Sequence, residues 1–114
     1  PEQVPVNMEN IIPLFSAELG RPVSITLSDA AQFRLEGEII SVTSKYENTI
    51  QSVVLRSTNY NGARLTISKI TAADGMVTYK GRIISMEHGD LYELQNQDGR
   101  FVLVKRNFHD LVNE

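Results

Sequence analysis

The chain has 114 residues, 41% apolar and 22% charged, with a formal net charge of -3 and no cysteine. That length makes about one domain, able to bury roughly two-thirds of the surface its unfolded form exposes, so it needs no covalent staples. The missing cysteines exclude disulfides, thiolate metal sites and cysteine nucleophiles. The acidic balance argues against general affinity for nucleic acid or an anionic membrane, and no apolar run approaches the length of a transmembrane helix. The charge is unevenly spread: residues 1–49 hold three basic and seven acidic side chains, residues 50–114 eight and seven.

A chain that opens on Pro1, without an initiator methionine or a signal peptide, reads as processed or excised from something longer. Residues 1–7 carry two prolines and no periodicity, which predicts an extended arm, mobile unless its valines dock. Ile11, Leu14, Phe15 and Leu19 then form an apolar stripe with helical spacing, closed by Gly20 and Pro22. With Pro13 in the first turn, the regular helix is expected over 13–19, capping the open end of a small sheet.

Val23, Ile25 and Leu27 alternate with polar residues and predict a strand, followed by a turn and then by the central stretch, Phe33 to Val42. Forty-four residues later Val77 to Met86 echoes it, with Gly37, Ile39, Ile40 and Ser41 matched by Gly81, Ile83, Ile84 and Ser85. The consecutive isoleucines after a glycine predict a bulge or a sharp coil. Further strands are expected over 50–56, 63–70, 77–86, 91–95 and 101–105. Asn61-Gly62, Asp74-Gly75, His88-Gly89 and Asp98-Gly99 supply the turns, and a helical turn over 107–112 closes the chain.

Val53-Val54-Leu55 echoes Phe101-Val102-Leu103, so the doubled unit reads as a strand pair, with copies at about 33–57 and 77–105. The predicted fold is a single mainly-β domain, a small antiparallel barrel or two-layer sandwich with pseudo-twofold halves. Set side by side about a local dyad, the halves would pair Glu36 and Glu38 with Lys80 and Arg82.

Chemistry is scarce. No nucleophile elbow, phosphate loop, dinucleotide fingerprint or zinc helix is present, and no cofactor site is read. Glu87, His88 and Asp90 are the candidates for a polar or metal site, at a turn that needs such residues for its backbone anyway. Ser85 with His88 and Asp90 lacks a visible oxyanion donor. His109 and Asp110 form a pair in the closing turn. Tyr79, Tyr92 and Phe101, interleaved with Lys80, Arg82 and Arg100, would suit a stacking platform for nucleic acid, but the alternation assigns Tyr79 and Phe101 to the core.

From Asn59 onward the chain reads NYNGARLTISKI, then MVTYKGRIISMEHGDLYELQNQDGRFVLVKR, then NFHDL. With Gly81, Ile83, Tyr92, Leu94, Gly99 and Leu103 as matching positions, residues 59–111 resemble the β-rich, propeptide-like segment that precedes the catalytic domain of some secreted bacterial zinc metallopeptidases. The resemblance implies an exported, noncatalytic domain that assists folding or blocks the active site of an attached or cognate peptidase. The familiar switch cysteine is missing, and Asp90 or His109 would have to replace it. The expected function is therefore a noncatalytic, exported, protein-binding domain, secreted or periplasmic. The alternative is a small-ligand or carbohydrate-binding barrel, and a hydrolytic enzyme comes third. A protein partner predicts an unpaired sheet edge, a ligand barrel predicts a lined cavity, and an enzyme predicts converging histidines and carboxylates.

Overall fold

The alternating segments become eight strands: β1 (Gln3–Pro5), β2 (Pro22–Ser28), β3 (Phe33–Lys45), β4 (Ile50–Ser57), β5 (Arg64–Thr71), β6 (Val77–Ser85), β7 (Asp90–Gln97) and β8 (Arg100–Asn107). This computed structural model describes residues 3–60, 62–85 and 90–107, with Asp90 and Asn107 as backbone only. All eight strands lie in one antiparallel sheet, ordered β1-β8-β7-β6-β5-β4-β3-β2. From β2 to β8 each strand pairs with the next in sequence, a meander whose short turns make each pairing local.

Period-two alternation puts one side chain in two on a concave face. Ile39, Leu55, Leu65 and Ile83 are successive register neighbours across four strands, and all are buried. The curl is strong. Phe33 on β3 meets Tyr92 on β7 with ring centroids 5.8 Å apart, although three strands separate them in the sheet. At one level the ring is stitched shut by consecutive amides: Val6 N–H donates to the Phe101 carbonyl at 2.9 Å, and Asn7 N–H to the Leu27 carbonyl at 2.8 Å. The predicted mainly-β class is thus realised as an antiparallel half-barrel.

The N-terminal arm docks. Val4 is 6% exposed and pairs with Leu103. The helical segment begins earlier than its apolar stripe suggested, as α1 (Met8–Ile11) running into a 3-10 helix over Ile12–Ser16, with Pro13 in its first turn. Ile11 and Leu14 plug the interior, whereas Leu19 is 68% exposed. The helix stops because Ala17 is extended, and Gly20, at φ 83°, turns the chain into β2, the junction being tied to β3 by Gly20 N–H to the Ile39 carbonyl and Ile39 N–H to the Arg21 carbonyl.

The central strand carries the predicted irregularity. Its pairing with β4 jumps from Ile39↔Leu55 to Ser41↔Val54, leaving Ile40 as the extra residue. Gly37 serves a different purpose, since a Cβ there would run into the Arg56 backbone carbonyl. Asp98 and Gly99, at φ 55° and 88°, form the predicted two-residue hairpin. Asn61, the His88-Gly89 turn and the closing turn after Asn107 lie outside the described residues.

The doubled strand pair does not order the sheet. Val53-Val54-Leu55 lies on β4, beside β3, while Phe101-Val102-Leu103 lies on β8, with β7 between it and β6. Only the first copy is bulged, because β5 and β6 pair without a register break. The expected charge pairs also do not form, since β4 and β5 separate β3 from β6. Glu38 instead pairs with Arg56, and Glu36 lies 3.9 Å from Arg34.

Candidate functional site

An antiparallel sheet that is not fully closed has edges, and exposed edges recruit other strands. This chain treats its two outer edges explicitly. β1 is three residues long and ends in Pro5, which has no N–H to offer. The free side of β2 is covered by the N-terminal segment: besides Asn7 N–H on Leu27, Asn10 Nδ2 donates to the Thr26 carbonyl at 2.9 Å, and Asn7 Oδ1 accepts from Asp29 N–H at 2.8 Å.

A third edge lies inside the sheet and has no such cover among the described residues. β6 pairs with β5 along its full length, from Arg64↔Ile84 to Thr71↔Val77. It pairs with β7 over only four positions, ending at Arg82↔Glu93. Leu94 still packs against Gly81 just beyond the last ladder pair, but residues 77–80 of β6 and 95–97 of β7 have ladder partners on their outer side alone. The seam holds an open depression of about 490 Å³, lined by Thr66, Ser68, Lys80, Arg82, Glu93 and Leu94. Aromatic rings stand on the concave side of the diverging strands: Tyr79 lies 6.1 Å from Phe101 of β8 and 6.1 Å from Phe15 of the 3-10 helix. At the free end of β6, Met76 is 67% exposed and Val77 is exposed beside it.

Strand parity sorts the charges. Arg64, Lys80, Arg82, Arg100 and Arg106 all fall on the convex face of β5 to β8, and Glu93 is the only carboxylate of that face among the described residues. Glu93 is matched by Arg106, whose Nε lies 3.3 Å from its Oε2. That Nε is buried and lacks hydrogen-bond alignment, so the contact is an ion pair only. Lys80 and Arg82 are exposed and form no ion pair among the described residues. Thr66 and Ser68 face Arg82 and Lys80 across β5 and β6, and Ser68 is hydrogen-bonded to Ser52 Oγ at 2.8 Å.

Of the candidates read from sequence, Glu87, His88 and His109 lie outside the described residues. Asp90 is described as backbone only, opposite Ser85 and Asn107. The Ser85 hydroxyl is buried, with no hydrogen-bond partner among the described residues. Among the described residues no three His, Cys, Asp or Glu side chains are grouped to hold a metal. The stacking platform separates by face, with Tyr79, Tyr92 and Phe101 concave and Lys80, Arg82 and Arg100 convex. Thr66, Ser68, Glu93 and Arg106 were not singled out by sequence. Their alternation marked a wet face, but the early end of the β6–β7 ladder leaves no trace in residue pattern. No protein-family model, curated protein or solved structure matches the chain.

Proposed function

We propose that the protein is a noncatalytic binding domain that takes up an extended polypeptide by strand addition at the β6–β7 seam. The observation that carries this reading is the ladder that stops at Arg82↔Glu93 while β6 runs on to Val77, leaving a strand edge with one partner. Strand addition draws affinity from main-chain hydrogen bonds and specificity from alternate side chains. The seam offers both elements, beside the exposed Met76 and Val77.

A small-ligand barrel has less support, because Ile11 and Leu14 fill the interior that a ligand would need. The likeness to a metallopeptidase prosegment, and the export that goes with it, belong with this proposal, since such a segment acts by contacting a protein. The test is amide hydrogen exchange on the whole chain with a neutral five-residue peptide, acetyl-Thr-Val-Thr-Val-Thr-amide. Added protection at residues 77–80 and 95–97 is expected. Protection confined to other strands, or none at saturating peptide, overturns the reading.

A further inference from the structure

We infer that the seam takes the carboxyl-terminal end of a polypeptide, with its terminal carboxylate at the closed end of the seam beside Lys80 and Arg82. This rests on the strand-addition reading and names which part of a polypeptide enters, and in which direction. The seam is a wedge that is blind at one end. At Arg82↔Glu93 the strands stand at ladder spacing, about 4.7–4.9 Å, and a strand laid between them would need about twice that. One residue nearer the opening, a Cβ on Gly81 would stand 3.5 Å from Leu94 Cβ, so the wedge is still shut there. An occupant paired along residues 77–80 cannot continue in the plane of the sheet, whereas a chain end needs no continuation. Neighbouring residues of a strand turn their amides to opposite edges, so every second residue of 77–80 and of 95–97 offers its N–H and C=O to the occupant.

Charge sets the direction. The depression gathers at the blind end, where Lys80, Gly81 and Arg82 line it from β6 and Glu93 and Leu94 from β7. Only Lys80 stands alongside the paired stretch, and Arg82 lies just past its end. Both are exposed and without an ion-pair partner among the described residues, and Glu93, which faces Arg82 across the ladder, has Arg106 at 3.3 Å. Three cations thus meet one carboxylate at the blind end. A chain-terminal carboxylate gains from that balance and a chain-terminal ammonium loses. Thr66, opposite Arg82 on the same face, adds a hydroxyl that can donate. Since β6 runs toward the blind end and β7 away from it, the occupant lies parallel to β6 and antiparallel to β7. Main-chain pairing with capture of a terminal carboxylate combines two ways in which folds recognise peptides.

The experiment compares acetyl-Thr-Val-Thr-Val-Thr carrying a free carboxylate with the same peptide as its amide, by titration calorimetry and NMR amide mapping on the whole chain. The free acid should bind about fivefold tighter at low salt, the gain of one exposed ion pair at the upper end of its range, and the ratio should shrink as salt rises. Lys80→Gln with Arg82→Gln should bring the two peptides level without weakening the amide, and an unchanged far-UV spectrum verifies the fold. Arg100→Gln, at the open end of the seam beside Gln97, should leave the ratio as it was. A nitroxide in place of the acetyl group should broaden the amides of Val77 and Gln97 more than those of Ile83 and Tyr92. Equal binding of acid and amide, with protection at residues 77–80 from both, refutes carboxylate capture, assigns the seam to internal segments and leaves strand addition standing. No protection from either peptide removes the reading beneath it. The reverse order of broadening, or a ratio that falls as far in Arg100→Gln as in the double variant, also overturns the inference. So does competition by a short oligothymidylate that is tighter than the free acid at the same amides, which assigns the blind end to nucleic acid.

Discussion

The two glycines of the echoed motif give a sharp test, because the same residue in the same local sequence meets different neighbours. A Cβ on Gly37 runs into the Arg56 carbonyl oxygen and lies 2.8 Å from its carbon, both rigid backbone atoms. β3 and β4 must separate there, at the cost of two ladder hydrogen bonds at about 1 kcal/mol each and overpacking of roughly 1–3 kcal/mol. With about 0.5–1 kcal/mol returned by the stiffer unfolded chain, Gly37→Ala should therefore lose about 2–4.5 kcal/mol, a large share of a typical total of about 5–15 kcal/mol. At Gly81 the tightest neighbour is Ile67 Cδ1 at 2.8 Å, the free end of a side chain, with Thr66 O at 3.3 Å. Shifting that rotamer costs about 0.5–1.5 kcal/mol, and the stiffer unfolded chain returns about 0.5–1 kcal/mol. Gly81→Ala should lose at most about 1 kcal/mol by that balance. Urea unfolding followed by far-UV circular dichroism measures both, and this suits a chain without tryptophan. Losses equal within about 0.5 kcal/mol would refute the close approach at Gly37.

Asn59 ties the β4–β5 turn to β3, accepting from Glu36 N–H at 3.0 Å and from the Ser57 hydroxyl at 2.8 Å while donating to the Arg34 carbonyl at 3.0 Å. Asn59→Ala leaves the buried Ser57 hydroxyl without its acceptor and should cost about 2–3 kcal/mol in urea unfolding; a loss under about 0.5 kcal/mol would show the latch to be idle. Asn7 donates to Glu9 Oε1 at 3.0 Å, and this bond, followed by that of the Glu9 backbone amide, holds the Glu9 carboxyl below its ordinary range. A depressed carboxyl contributes stability above its unfolded pKa, which is lost as pH falls through the folded value. In Asn7→Ala the Glu9 titration followed by NMR should move upward toward the ordinary value, and an unmoved titration would assign the depression to the backbone alone.

The sequence was informative wherever one residue dictates its own backbone or face. The glycine-bearing turn at Asp98-Gly99, the strands from Val23 onward, the interior Tyr79 and Phe101, and the bulge beside Ile39-Ile40 are all settled within a few residues of themselves. The half-barrel needed more, because Phe33 meets Tyr92 only through the curl of the whole sheet. The echoed GxIIS misled for a similar reason. Gly, Ile and Ser at those positions suit any tightly packed strand, and their likeness does not reveal which strands stand beside them. β3 has β2 over 33–38 and β4 over 37–45, whereas β6 has β5 over 77–84 and β7 over 82–85. The helix started early because Ile11 was needed as an interior plug, a tertiary demand that the spacing could not rank above Leu19. The seam was invisible because Lys80 and Arg82 look the same beside a full ladder as beside an open one.

An open strand edge also invites a second copy of the same chain, and here the positive charge beside the edge opposes that outcome. Antiparallel pairing of β6 with its twin over residues 77–81 sets Lys80 diagonal to the Lys80 of the other copy, with Arg82 just beyond the paired stretch, an arrangement that disfavours the pair. At an ionic strength of about 0.01 M the repulsion reaches roughly 30 Å and the protein should sediment as a monomer; at about 1 M the range falls to roughly 3 Å and self-association should appear at high concentration. Lys80→Thr with Arg82→Thr should associate without the salt, because threonine also favours strand pairing. A parent chain that dimerises at low salt, or a threonine variant that stays monomeric under every condition, would show that these cations do not guard the edge. The same pair of side chains would then need another reason to stand unmatched beside this open seam.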